Sequence, residues 1–242
     1  LSYFLQTLYG MADLFIVGQF DGVASTTAVS VGSQVMHMLT VMIVGLAMGT
    51  TVTIGQAVGA KNRKKISQTI GNTVILFCIV SVAMMAFFLC MVRPIVAVMS
   101  TPAEAVEGTV AYLTICFVGI PCITAYNVIS SIFRGMGDSK SPMYFIAIAC
   151  GANIAFDYIF MGALHLGPAG AALGTTLAQA LSVVIASTVI LKKKMGISVS
   201  RQDFRPRREA TGQIVRIGLP IALQDPGGIY RHYHHCKPTW TQ

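Results

Sequence analysis

Apolar residues in this chain come in long blocks rather than in the alternation of a half-buried strand or the narrow stripe of a surface helix. Six blocks, at about 1–18, 28–58, 66–92, 108–133, 142–164 and 169–191, are divided by short polar connections. Each is near the ~20 residues that a helix needs to cross a hydrocarbon layer, and the second is long enough to tilt. Backbone in lipid must satisfy its own hydrogen bonds, so blocks of this length read as helices. The third block is expected to stop at Arg93-Pro94, and the fourth to kink at Pro121 near its middle. A polar, basic linker spans 192–210, and 211–224 begins a seventh helix in which Pro220 signals a kink or an early bend. The expected fold is all-α and integral to a membrane: a six-helix transmembrane bundle plus the start of a seventh helix.

Both ends of the chain read as irregular. It begins at Leu1 without Met, already inside an apolar block, so the first helix is expected to be cut at its start. From 225 to 242 the composition turns polar and His-rich, unlike the blocks before it. Shifting the back-translation of 229–242 by one nucleotide permits a run such as Ile-Val-Ile-Ile-Thr-Ile-Val-Asn, as a seventh membrane helix would supply. The residues from Pro226 onward are therefore expected to be an out-of-frame tail, a better account than a metal-binding reading of its His-Tyr-His-His-Cys run.

Composition supports the membrane reading. Hydrophobic residues make up 54% and charged residues 11%, with a mean hydropathy of +0.68, against about 25% charged in soluble domains. The net charge of +8 does not point to nucleic acid, because the basic residues sit in short loops between apolar blocks. The second, fourth and sixth loops hold thirteen Lys or Arg (Lys61, Arg63, Lys64, Lys65; Arg134, Lys140; Lys192, Lys193, Lys194, Arg201, Arg205, Arg207, Arg208), and the odd loops hold only Arg93. This bias puts the even loops and the N-terminus in the cytoplasm. Five of the six cysteines, Cys78, Cys90, Cys116, Cys122 and Cys150, lie in apolar blocks without metal-type spacing and read as small packing residues; the sixth, Cys236, is in the tail. No phosphate-binding glycine loop is present, and nothing indicates a redox cofactor.

Against this background two residues stand out. Of nine acidic residues, only Asp13 and Asp157 lie inside apolar blocks. A carboxylate in a membrane span costs about 2.5–3.5 kcal/mol on insertion scales and is a functional-site candidate by default. Each lies five residues before a glycine, Gly18 and Gly162, near the outer end of its helix. Two like charges at one depth repel unless a cation or a proton is shared between them. Asn153 and Asp157 are four apart and share a helix face, while Tyr112 and Thr175 fall at neighbouring depths. The competing readings are structural: Asp13 as a helix end reaching for headgroups, Asp157, Asn153 and Thr175 as helix-to-helix hydrogen bonds, and Tyr9 and Tyr112 as interfacial aromatics. Gln34 and His37, one turn apart on the second helix, are candidates for a lumen face. The Gly135-Met136-Gly137-Asp138 run matches the GxGD pattern of intramembrane aspartyl proteases, but Asp138 sits between Arg134 and Lys140 in a loop, so no enzyme is expected. A turn and a local ion pair are the plainer role for Asp138.

Five segments taken together carry a resemblance: YGMADLFIVGQF (Tyr9–Phe20), GQAVGAKN (Gly55–Asn62), FRGMGDSKSPM (Phe133–Met143), NIAFDYIFMG (Asn153–Gly162) and GPAGAALGTTLAQ (Gly167–Gln179). In content, order and spacing they resemble the multidrug and toxic compound extrusion (MATE) family, over about 1–224. The resemblance implies one six-helix lobe of a twelve-helix antiporter, a plasma-membrane protein (a bacterial inner membrane), monomeric when full length. It implies export of drugs or organic cations in exchange for Na⁺ or H⁺, with no other cofactor and no nucleic-acid partner. It also implies a cation site, with Na⁺ as its metal, at Asp13, Asn153, Asp157 and Thr175, supported by Tyr9 and Tyr112. Gly55, Gln56, Gly59, Arg134, Gly135, Gly137, Asp138 and Pro142 are expected to serve structure. The alternatives are a lipid-oligosaccharide flippase of the same superfamily, disfavoured because no Lys or Arg lies deep in the six blocks, and a truncated product that does not transport.

Overall fold

The computed structural model describes residues 2–193 and 208–224, with side chains from 10 to 190 and from 210 to 223. The tail from 225, most of the basic linker and the Tyr9 side chain therefore lie outside the described residues. All described regular elements are helical: α1 (Ser2–Phe20), α2 (Val23–Gly59), α3 (Arg63–Val98), α4 (Val106–Val118), α5 (Ile120–Gly135), α6 (Lys140–Asp157), α7 (Gly167–Lys193) and α8 (Arg208–Gln224). A 3₁₀ turn, Ala103–Ala105, leads into α4, and a π-helical turn, Tyr158–Ala163, continues α6. Four helical stretches are long and apolar enough to cross a membrane (Val23–Gly59, Arg63–Val98, Lys140–Ala163 and Gly167–Ile190), and α4 with α5 makes a fifth, bent by 48°. Gly10–Phe20, the part of α1 whose side chains are described, is by itself shorter than a span.

Two expectations about proline need correction. Arg93-Pro94 does not stop the third helix, because α3 runs through Pro94 to Val98. A proline inside a membrane helix removes one backbone bond, which its surroundings can absorb, and a single missing bond does not end the helix here. The fourth block, in contrast, is not one kinked helix. It breaks at Gly119, two residues before Pro121, into α4 and α5. Pro121 has no N–H for the carbonyl of Phe117 and occupies the first turn of the new helix, where that loss is harmless. The amides of Cys122 and Ile123 both turn to the Gly119 carbonyl, at 3.0 and 3.1 Å.

The α2–α3 connection shows how the glycine-rich motif works. Gly59 is the last residue of α2, and Ala60 caps it. Lys61 takes the left-handed conformation (φ 54), and the Asn62 amide reaches back to the Ala57 carbonyl at 3.0 Å. The Asn62 side chain then accepts from the Lys65 amide at 3.0 Å and starts α3.

Three apolar clusters fill the bundle. One joins α1, α2, α3, α4 and α7 around Val17, Val29, Leu113 and Phe117. A second joins α2, α3, α5 and α8 around Ile54, Phe77 and Ile214. The third joins α5, α6 and α7, where the Phe133 and Phe145 rings meet edge-on at 5.6 Å. In lipid the hydrophobic effect does not favour one helix neighbour over another, so close backbone approach at small residues carries much of the association. The α2–α8 contact is built this way. A Cβ on Gly45 would meet the Ala222 backbone, one on Gly49 would meet the Ile214 carbonyl, and one on Gly218 would meet Leu46. The Gln213 amide adds a bond to Gln56 Oε1 at 3.2 Å.

A leucine at Gly49 has no room, and overpacking of this kind costs about 1–3 kcal/mol. Gly49→Leu should lower the melting temperature of the purified chain. Gly59→Leu should leave it unchanged, since nothing lies within 4 Å of a Cβ there.

Candidate functional site

Packing of α6 against both α1 and α7 brings the two membrane aspartates together. Asp13 lies seven residues before the end of α1, and Asp157 closes α6. Both are buried, at 2% and 0% exposure, as is Asn153 at 0%. The Thr175 hydroxyl on α7 donates to Asp13 Oδ2 at 3.3 Å. The Asn153 amide donates to Asp157 Oδ1 at 3.5 Å. The Asp13 carboxyl also interacts directly with Asp157 and Asn153, so the four polar side chains form one cluster drawn from three helices.

Backbone shape makes room for it. Gly174 packs so closely on Asp157 Oδ1 that no Cβ fits. Directly after Asp157 the helix widens into the π turn, where the Leu164 amide reaches back to the Ile159 carbonyl at 3.0 Å. Such turns are rare and often sit at functional sites. The Phe20 ring meets Tyr158 edge-on at 5.9 Å and lies against Gly162, tying the end of α1 to this turn.

Three oxygens of the cluster, Asp13 Oδ1, Asn153 Oδ1 and Asp157 Oδ2, are buried without a hydrogen-bond partner. An orphaned buried acceptor is costly, and three aimed into one cluster form a set of hard oxygen donors that suits a hard cation or a proton. Among the described residues no three His, Cys, Asp or Glu side chains meet as a metal-ligand group.

The other sequence candidates fall elsewhere. Tyr112 is buried on α4 with its ring over Gly32 and its hydroxyl 3.1 Å from the Ser33 hydroxyl, so α2 holds it. Gln34 and His37 are on the exposed face of α2. Gly55 and Gly135 mark a close approach of α2 and α5, where a Cβ on Gly135 would meet Ile54 and the Thr51 carbonyl. Arg134 sits in the last turn of α5 with Nε and Nη2 buried and unpartnered. Gly137 (φ 88) makes the turn, and Asp138 starts α6, accepting from the amides of Lys140 (3.1 Å) and Ser141 (3.0 Å) and from the Ser141 hydroxyl (2.6 Å). Pro142, in the first turn of α6, offers its carbonyl to the Tyr126 hydroxyl at 3.4 Å. Sequence reasoning missed Gly174, although a glycine next to a polar residue on a membrane helix is the signal of a side chain packed against backbone.

A bundle of membrane-length helices with two carboxylates in contact in its interior is a polytopic membrane protein. The sequence profile of the MatE family matches residues 1–159, and the chain belongs to that family. It is similar to the "Probable multidrug resistance protein YpnP" of Bacillus subtilis, 28% identical over 221 residues that cover 91% of this chain and 49% of the relative. It is also similar to the "Probable multidrug resistance protein NorM" of Thermotoga maritima, 29% identical over 230 residues that cover 91% and 48%. Among solved structures it matches a MOP superfamily transporter from Pyrococcus furiosus with a TM-score of 0.85, at 29% identity over 92% of this chain and 49% of that one. An inward-facing multidrug resistance MATE family transporter gives a TM-score of 0.83 at 30% identity, covering 90% and 50%. The chain thus spans about half the length of the curated relatives it matches.

Asp138 accepts three hydrogen bonds at the head of α6, so Asp138→Ala should cost about 1 kcal/mol, the usual loss at a helix start. Thermal unfolding of the purified chain checks this, with Asp138→Asn expected to retain part of the stability.

Proposed function

We propose that this chain is a coupling lobe of a secondary antiporter that exports drugs or organic cations in exchange for Na⁺ or H⁺. Asp13, Asn153, Asp157 and Thr175 hold the coupling ion. The observation that carries this reading is the contact of two buried carboxylates, each with one unpartnered oxygen, beside the unpartnered Asn153 Oδ1. Carboxylates in contact repel across a medium that screens them poorly. A cation between them, or a proton on one of them, removes the repulsion, and the loss of that charge restores it. Cation binding then favours whichever arrangement of α1, α6 and α7 keeps the pair together. Coupling follows only when the two arrangements of the lobe differ in affinity for the ion.

The membrane setting fits the same reading. Basic residues gather at the α2–α3, α5–α6 and α7–α8 connections, and Asp21, Glu104 and Glu107 lie at the other end. By the positive-inside rule the basic end is cytoplasmic and the aspartate pair lies in the outer half of the plasma membrane. Na⁺ or a proton arriving from outside has the shorter path to the pair. The substrate is a small molecule, and the printed names of the relatives, "multidrug resistance" and "multidrug export", support that class.

A ligand that binds only the folded protein stabilises it, by about 2.7 kcal/mol at a hundred times its Kd. Na⁺ or H⁺ should therefore raise the melting temperature of the purified chain. Asp13→Asn and Asp157→Asn should each abolish that response without preventing folding. In a full-length transporter carrying this lobe, the same substitutions should abolish drug efflux at unchanged expression. A wild-type cation response in both variants would remove the assignment.

A further inference from the structure

At the end of the bundle away from the basic connections, a cleft of about 210 Å³ lies between the end of α3 and the start of α4. Val96, Ala97, Val106 and Val110 give it an apolar lining, and Ser100, Thr101 and Arg93 a polar one. An apolar cavity of about 150 Å³ takes up a benzene ring, so this cleft has room for part of a small organic group. The Thr101 hydroxyl already donates to the Val96 carbonyl at 3.2 Å, which leaves Arg93 as the main polar group on offer.

Arg93 is the only Lys or Arg near this end of the bundle. Its Nη2 stands 3.7 Å from Glu107 Oε1, and the two side chains are 74% and 77% exposed. That distance is longer than a hydrogen bond, and an exposed pair of this kind holds its members weakly. A guanidinium with five donors and a carboxylate therefore stand side by side at the edge of an apolar cleft. The surroundings of α3 are lipid. It is long and apolar enough to cross a membrane, yet only 11% of its most apolar window is buried in the bundle. The face that carries Arg93 continues along α3 with Cys90 and Ala86, both exposed. An arginine five residues before the end of a span lays its stem on apolar surface and its charge at the headgroup layer.

We propose that this cleft binds one zwitterionic phospholipid with a primary ammonium, of the phosphatidylethanolamine type. Arg93 takes the phosphate, which suits the fork of a guanidinium. Glu107 takes the ammonium, and an acyl chain lies against Val96, Ala97 and Val110. A headgroup with one negative and one positive charge matches an Arg–Glu pair and replaces one long contact with two short ones. An anionic glycerol headgroup brings only a like charge to Glu107. None of the cation-site residues takes part.

The test is native mass spectrometry of the purified 242-residue chain in detergent, titrated with phosphatidylethanolamine or phosphatidylglycerol of equal chain length. The wild-type chain should bind one phosphatidylethanolamine saturably and more tightly than phosphatidylglycerol. Arg93→Gln should weaken both lipids about tenfold, the effect of losing one contact to a charged group. Glu107→Gln should weaken phosphatidylethanolamine alone, and Val110→Trp, which fills the cleft, should weaken both. Arg93 and Glu107 are exposed, so their substitutions should leave the melting temperature unchanged, and Asp13→Asn should leave lipid binding unchanged. Wild-type affinity for both lipids in Arg93→Gln would overturn the proposal, as would a preference for phosphatidylethanolamine that survives Glu107→Gln. Glycerophosphoethanolamine, the headgroup without chains, should bind far more weakly, and equal affinity for it would overturn the assignment to a lipid.

Discussion

Two carboxylates held in contact inside a helical membrane bundle need a positive charge between them, and much of this chain is arranged around that requirement. Asp13 and Asp157 come from helices separated by more than a hundred residues, yet neither is exposed and each has an amide or hydroxyl partner. Desolvation of this size is not offset by two long hydrogen bonds. On the proposed reading a bound cation or proton offsets it, and the charge state of the pair and the packing of α1 against α6 and α7 then form one equilibrium. The glycine under Asp157 and the π turn after it are the backbone accommodations that let the contact form.

The rest of the lobe is held by approach rather than by charge. Helix contacts at Gly32 with Tyr112, Gly45 and Gly49 with α8, Gly119 with Thr176 and Gly135 with α2 all put backbone or β-carbon against a neighbour. Such contacts are short-ranged and leave little play, whereas the break at Gly119 and the π turn are places where a helix can change its path without breaking many bonds. The cluster adjoins the π turn, which follows Asp157 directly, and Thr176, the residue after Thr175, packs on Gly119.

Much of this was legible in the residues themselves. Block length alone placed the long helices, because lipid leaves the backbone few alternatives. Asp13 and Asp157 stood out by composition, and the spacing of Asn153 put it on the face of Asp157. What was not legible is rotation and local path. Tyr112 lies at a depth like that of the aspartates, but its azimuth on α4 turns it to Ser33. Pro94 and Pro121 carry the same chemistry, yet one is absorbed within α3 and the other begins a new helix, because the outcome depends on the packing around each freed carbonyl. Asp138 reads as a charge between basic neighbours, and its observed bonds cap α6.

The central claim is that Asp13 and Asp157 respond to a cation as one unit. Infrared difference spectra of the purified chain, recorded on addition of Na⁺ and on pH steps, report the carboxyl groups directly. A shared site predicts that both aspartate signals change together and that either Asp13→Asn or Asp157→Asn removes the whole response. A response confined to one carboxyl, surviving substitution of the other, would contradict it.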